Sequence, residues 1–464
     1  MKRKLLHVEK NIRRISFLRK NRFSLLGGFV FFLFLAANPG SASAIPSYAR
    51  QTGLSCAACH TVFPELTSFG RQFKLNGYTL TGIKTIHQIV KKKNGEKSTL
   101  LRLLSISPIS AMFQTGITHV NKTIPGTQNN NIEFPQQMSL FYGGQITPHI
   151  GAFIQITLDD GSGTIGMDNT DIRYSNHSKG KIPFTYGFTL NNNPTVQDVW
   201  NTTPAWGYPY TASGVAPTPG AGPIIENLGG TVAGLGGYGL LNNLLYFELS
   251  GYGTAQLGAA LPPDATSAGV IRGVAPYWRI ALQHQWDKSY LEVGTYGMAI
   301  NMYPSGVSGL YDKYADVAFD LQYEYPFSKG QFTFHTTYIT EKQTLSATHK
   351  AGGSQNLSDK LNTFKFDASL FIKPGINFTL GYFNTTGTAD NVIYAPGSMD
   401  GSRMGIPNSS GILAQVDYLP WKNTKISFLY VAYGKFNGAK TNYDGSGRNA
   451  SDNNSVYLQF WFLF

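Results

Sequence analysis

The chain has 464 residues, a formal net charge of +12, 13% aromatic and 14% charged residues, and 51 glycines. Nine basic residues and one acid lie within the first 44 positions, a net +8 that leaves only +4 for the rest, so the basic isoelectric point is no argument for a nucleic-acid partner. Beyond residue 44 no run of 18 apolar residues occurs, which excludes a helical membrane protein, and the charged fraction is far below the roughly one quarter of a soluble domain. Such a composition suits an all-β barrel with one face in lipid.

In chain order, the first expected element is an export signal over residues 1–44. Lys2, Arg3, Lys4, Lys10, Arg13, Arg14, Arg19, Lys20 and Arg22 make a basic start, Phe23 to Ala37 an apolar run, and Ala42-Ser43-Ala44 a small-residue cleavage site. The alternative is an uncleaved anchor, for which the apolar run is short.

Residues 45–102 are expected to form a c-type haem segment. The chain has two cysteines, both in Cys56-Ala57-Ala58-Cys59-His60, which fits the C-x-x-C-H attachment site. Two thiols on one turn add to the two vinyl groups of a haem, and the adjacent histidine reaches the iron as proximal ligand. A disulfide would need no histidine, and a zinc site would need two more ligands nearby. Val62, Leu66, Phe69 and Phe73 then fall on one face of an expected helix, stopped at Asn76-Gly77. That face packs on the porphyrin edge, or simply plugs a lumen. About 58 residues make a marginal core alone, so the segment is expected to insert into the barrel that follows.

The barrel is expected over residues 103–464. Phe364, Phe366, Ala368, Leu370 and Ile372 hold one phase, against Lys365, Asp367, Ser369 and Lys373. After Pro374-Gly375, Ile376, Phe378, Leu380 and Tyr382 alternate with Asn377, Thr379 and Gly381. Period-two runs of this kind are strands with an apolar and a polar face. Short connections fall near 147–149, 178–181, 287–288, 327–329, 374–375 and 421–423. Long polar ones fall near 120–133, 161–167, 192–227, 256–273, 303–312, 342–360, 387–410 and 437–453. Outer-membrane barrels place short turns in the periplasm and long loops outside. Strict alternation then demands a further strand within 228–240 and a turn near 241–243, giving a 16-stranded antiparallel transmembrane barrel. In the final strand Val456, Leu458, Phe460, Phe462 and Phe464 share one phase, like the signal that barrel-insertion machinery reads. Gly234 to Gly239 spells the dinucleotide fingerprint, but no amphipathic helix follows it.

Pro46-Ser47-Tyr48-Ala49-Arg50-Gln51-Thr52-Gly53, the CAACH motif, Phe63-Pro64-Glu65-Leu66-Thr67, Phe69-Gly70-Arg71 and Phe73 to Tyr78 closely resemble the fused monohaem cytochrome–porins of iron-oxidising bacteria. The segments 168–174 (DNTDIRY) and 191–198 (NNNPTVQD), with Trp200 and Trp206, also look like that family. The resemblance is dense over 45–80 and architectural elsewhere. It implies an outer-membrane iron:cytochrome c oxidoreductase. One covalently bound haem c would take electrons from extracellular Fe(II) and pass them to a periplasmic cytochrome or other soluble carrier. No general acid, base or nucleophile is needed.

The second axial ligand stays open among Met112, Met298 and His335, which share lumen-facing phases, and His87 after the helix. Arg71 is expected to pair with a haem propionate, or else to be a solvated helix charge. Asp159, Asp160, Asp168 and Asp171 flank an outer loop and either attract Fe(II) or are ordinary polar residues. Lys91, Lys92 and Lys93 meet an acidic partner or form a solvated linker. Two rival readings remain: a diffusion porin whose haem is a plug or sensor, and an electron conduit with another donor or direction.

Overall fold

The computed structural model describes residues 47–80, 107–159, 165–178, 180–203, 210–255, 257, 261–262, 269–421 and 423–464. The expected export signal, His87, Lys91 to Lys93, Asp160, Trp206 and the 102/103 boundary lie outside these residues, as does the side chain of Asp159. Among these residues four short α-helices precede or join the strands: α1 Ser47–Thr52, α2 Cys56–Cys59, α3 Ser68–Leu75 and α4 Ser346–Lys350. The strands are β1 Ile109–Val120, β2 Asn131–Thr147, β3 Ile150–Asp159, β4 Ile165–His177, β5 Phe184–Asn191, β6 Val232–Leu241, β7 Leu245–Thr254, β8 Val270–Ile271, β9 Ala275–Gln285, β10 Tyr290–Tyr303, β11 Asp312–Phe327, β12 Gly330–Thr344, β13 Ser358–Ile372, β14 Ile376–Gly387, β15 Ser409–Trp421, β16 Thr424–Lys435 and β17 Ser455–Leu463.

The sheet is antiparallel throughout and closes on itself, β1 pairing β17 from Met112↔Leu463 to Val120↔Ser455. β8 and β9 both pair with β10, at Met302↔Ile271 and Met298↔Tyr277. They are two halves of one interrupted stave, so the wall has sixteen. The expected extra strand is β6, and it turns into β7 at Asn242-Asn243, both at φ +53°. Asparagine tolerates this left-handed conformation, which a tight hairpin requires. Among the described residues the first stave begins at Ile109. Pro108 stands just before it and has no N–H to give a ladder.

Alternation places apolar residues outside and polar residues inside. On β14, Ile376, Phe378 and Leu380 are exposed while Asn377 and Thr379 are buried. The lumen-facing side chains include fully buried Arg173, Arg279, Gln155 and Asp417. This is the reverse of a soluble protein and the pattern of a barrel in lipid. Closure is what permits it, because an open sheet edge has no hydrogen-bond partner in hydrocarbon. The chain is thus a bacterial outer-membrane β-barrel.

The lumen is filled from two sources. The segment 47–80 lies inside, tied to the wall at many points. The described parts of the connection between β5 and β6, residues 192–203 and 210–231, also fold inward, burying Val196, Val199, Trp200, Ile225 and Leu228. Ile225 and Leu228 meet Tyr252, Tyr277, Tyr296 and Met298 in an apolar cluster on the inner wall.

The expected helix after the motif starts late. Residues 61–67 turn instead, and α3 begins only after Thr67, whose hydroxyl accepts from the Gly70 amide at 3.2 Å. Pro64 has no amide to donate, and the Thr67 cap offers the better start. The end falls as expected, with Asn76 as cap and Gly77 at φ +67°.

Lipid facing and lumen facing predict opposite tolerance to charge. Leu380→Arg puts a cation into the lipid layer and is expected to destabilise by roughly 2–4 kcal/mol. Thr379→Arg, one position along and facing the lumen, is expected to cost less. Urea-titrated folding into lipid vesicles measures both.

Candidate functional site

A cavity of ≈530 Å³ lies inside the barrel, within the roughly 300–1,000 Å³ of small-molecule and cofactor sites. Its lining includes Cys56, Cys59, His60 and Phe73 of the N-terminal segment, with Met112 and Trp461 of the wall. Ser110 and Leu463, at the short-turn ends of β1 and β17, set its level in that half of the barrel. Val196, Asn201, Tyr210 and Ala212 of the inward-folded connection also line it, and so separate it from the long-loop end.

The motif forms one tight turn. Cys56 to Cys59 is a single helical turn, and the His60 amide donates to the Cys56 carbonyl at 2.9 Å. The Thr67 hydroxyl donates to the Ala58 carbonyl at 2.7 Å and the Thr67 amide to the Cys59 carbonyl at 2.9 Å. A Cβ on Gly70 would collide with the Cys59 carbonyl, so glycine is what lets α3 pack on the turn. His60 Nδ1 lies 3.2 Å from the carbonyls of both Pro64 and Glu65. Carbonyls only accept, so Nδ1 carries the proton and Nε2 keeps its lone pair. Burial also lowers the His60 pKa, against those two hydrogen bonds, and so favours the neutral imidazole that metals bind. Burial pushes the Cys59 thiol up to about 12. Among the described residues no group of three His, Cys, Asp or Glu could hold a bare metal ion. Both cysteines are free thiols.

The segment is held in place by polar contacts. Ser47 Oγ and Gln51 Nε2 each donate to the Gly143 carbonyl at 2.7 Å, and Tyr48 OH to the Ala152 carbonyl at 2.7 Å. Tyr78 OH donates to Asp171 at 2.6 Å, and Tyr238 OH to the Leu75 carbonyl at 2.7 Å. Lys74 Nζ donates to the Val196 and Asp198 carbonyls. Burial, with Arg173 nearby, brings its pKa down to about 8. Thr61 donates to Glu65 at 2.9 Å, and burial raises the Glu65 carboxyl against the pull of His335 on the wall.

The expected site residues part company here. Cys56, Cys59, His60 and Met112 share the cavity. Met298 sits instead in the cluster around Ile225. His335 faces the lumen, but its Nδ1 is on Asp367 at 3.0 Å and its side chain is not in the cavity lining. Arg71 corrects its expectation. It is 3% exposed, donates to Glu324, to the Leu66 carbonyl and to Ser68, and lies 4.2 Å over the Tyr290 ring. It locks α3 to the wall and does not line the cavity. Asp168 and Asp171 are on β4 itself; Asp168 lines the cavity, whereas Asp171 is 0% exposed, held by Arg173 at 2.7 Å. It has no surface on which to attract an ion from outside.

Segments 168–174 and 191–198 meet each other. Arg173 Nη2 donates to the Gln197 carbonyl at 2.9 Å, Thr189 to Asp171 at 2.8 Å, and Asn193 to Asn169 at 3.1 Å. Trp200 gives its indole N–H to Tyr290 at 2.6 Å, and its ring carries the Arg279 guanidinium at 4.7 Å. Sequence reading missed Trp461, Gln114, Gln136 and Gln459, which line the cavity. In a strand pattern they are ordinary lumen residues, and only the fold gathers them.

No family profile and no curated protein sequence matches the chain. Among solved structures it is similar to Salmonella typhi OmpF in complex with daunomycin (13% identity, TM-score 0.44, covering 77% of this chain and 97% of that one). It is also similar to an anion-selective porin from Comamonas acidovorans (12%, 0.45, 77% and 98%) and to the outer membrane channel DcaP of Acinetobacter baumannii (10%, 0.43, 77% and 96%).

The lock between segment and wall is testable. Arg71→Ala leaves Glu324 buried without its cation and is expected to cost about 3–5 kcal/mol, whereas the double change to Met at both positions costs much less. Denaturant titration of the folded barrel reads the difference.

Proposed function

We propose that the protein is an outer-membrane electron conduit, a monohaem cytochrome–porin that oxidises extracellular Fe(II) and passes the electrons to a periplasmic carrier. One observation carries the reading: a C-x-x-C-H turn, with its histidine in the metal-binding tautomer, lines a cofactor-sized cavity inside a membrane barrel.

The residues present fit a haem c. Cys56 and Cys59 would hold it through thioethers, and His60 would supply the proximal nitrogen. Phe63, Phe73 and Trp461 offer it an aromatic, water-poor surface. Trp461 Nε1 is buried with no partner among the described residues, a donor of the kind a polar haem edge accepts. When bound, the haem supplies a one-electron couple. The chain does the rest. His60 is oriented by two carbonyls, Thr67 and Gly70 press α3 onto the attachment turn, and the connection 192–231 covers the cavity from the long-loop side. No proton-transfer group is needed. An apolar layer ~25 Å tall blocks ions, and a redox site within it lets electrons pass while Fe(III), which hydrolyses and precipitates, stays outside.

The second reading, a diffusion porin with a structural or sensory haem, draws on the sixteen-stave wall. The inward-folded segments 47–80 and 192–231 weigh against it, because they occupy the lumen.

Stopped-flow mixing of the oxidised protein with Fe(II) tests the proposal. The expected outcome is reduced haem bands at the host's working pH; their failure to appear removes the iron-oxidase assignment. A Cys59→Ala variant is expected to weaken haem staining after denaturation. Large open-pore conductance in a planar bilayer would favour the porin reading.

A further inference from the structure

Resting on the haem reading, we propose that Met112 is the distal ligand and that Gln114 is a positioning residue. The Gln114 amide hydrogen-bonds the Met112 sulfur, fixing its aim and holding the potential of the site high.

Sequence left the distal ligand open among residues of equal standing. The fold separates them. Met112, 3% exposed, lines the cavity that His60 lines. Met298 is spent in an apolar cluster, and the His335 side chain does not line the cavity; His87 lies outside the described residues.

Gln114 Nε2 donates to Met112 Sδ at 3.2 Å. The two residues are i and i+2 on β1, so both point into the lumen. Which end of the Gln114 amide meets the sulfur is settled by its neighbours. Its Oε1 accepts from Gln459 Nε2 at 2.8 Å, and that same nitrogen lies 3.2 Å from Gln136 Oε1. Gln136 Oε1 also accepts from Tyr457 OH, while Gln136 Nε2 donates to the Ala212 carbonyl at 2.6 Å. A backbone carbonyl cannot donate, so Gln136 has one orientation. That orientation sets Gln459, and Gln459 sets Gln114. Gly116 makes room for the Tyr457 ring, since a Cβ there would strike it. The chain of amides therefore runs from the inward-folded connection, across β2 and β17, to the sulfur on β1.

A hydrogen bond into a thioether draws on the lone pairs it offers a metal. The weaker donor costs Fe(III) more than Fe(II), which raises the reduction potential. Hydrogen bonding around an axial ligand is a known lever on haem potential. A high potential is what an acceptor of electrons from Fe(II) requires.

The test uses the full-length, haem-loaded protein in detergent. It reads the near-infrared sulfur-to-iron(III) charge-transfer band and the midpoint potential by spectroelectrochemical titration. Met112→Ala is expected to lose the band. Gln114→Leu is expected to keep it but to lower the potential by about 59 mV, a tenfold shift in the one-electron equilibrium. Gln459→Leu frees the Gln114 amide and is expected to shift it in the same direction by less. A band that survives in Met112→Ala overturns the inference, as does an unchanged potential in both glutamine variants. Wild-type protein without covalent haem overturns the conduit reading as well, so the two failures are distinguishable.

Discussion

In a hydrocarbon layer every backbone N–H and C=O has to find its partner within the protein, and β-structure does so only by closing. The pairing of β1 with β17 is that closure, and the rest of the molecule follows from it. Because the outer face meets lipid, apolar side chains point outward and polar ones are forced into the lumen. Buried there, Arg173, Arg279, Asp320 and Glu292 need partners or carry a large desolvation cost. Some partners are other wall residues, Asp171 for Arg173 and Glu292 and Asp320 for Arg279, and others come from chain that is not part of the wall. Asp198 on the inward-folded connection stands 3.8 Å from Arg279, and Tyr78 of the N-terminal segment reaches Asp171. Filling the lumen and satisfying the wall are one physical event.

This explains why a segment of 34 described residues, 47–80, adopts a defined form. Alone it has too little apolar surface for a core. Inside the barrel it is fixed by hydrogen bonds to wall carbonyls, by the Arg71–Glu324 pair and by the Tyr238 hydroxyl on the end of α3. The aromatic groups it brings, Tyr48, Phe63 and Phe73, create an apolar pocket within a polar lumen. Tyr48 and Phe73 meet edge to face with ring centroids 5.2 Å apart, and Phe63 meets Trp461 at 6.2 Å. Such a pocket is a suitable place for a redox group, since dryness and buried dipoles are the protein's means of tuning it.

On the proposed function, electron passage and solute passage compete for space in this architecture. Each residue that anchors the segment or the connection 192–231 removes room for solute. Gly70 against the Cys59 carbonyl and Thr67 on Ala58 press the Cys56–Cys59 turn into a single shape.

Some of this was legible in the sequence, and the division has a physical cause. Period-two alternation, turn residues and the C-x-x-C-H motif are local, so sixteen staves and the turn at Asn242-Asn243 could be read along the chain. Helix α3 was found with its end right and its start wrong, because the Thr67 cap outweighed a tempting apolar periodicity. In the sequence Arg71 reads as a haem-propionate partner or a solvated helix charge, because its partner, Glu324, is 253 positions away. Met112 could not be told from Met298 or His335, since all three share the lumen-facing phase. Only closure of the barrel brings β1, β2 and β17 together around one cavity. Which side chain meets which across a lumen depends on contacts hundreds of residues apart, and periodicity along a strand carries no information about them.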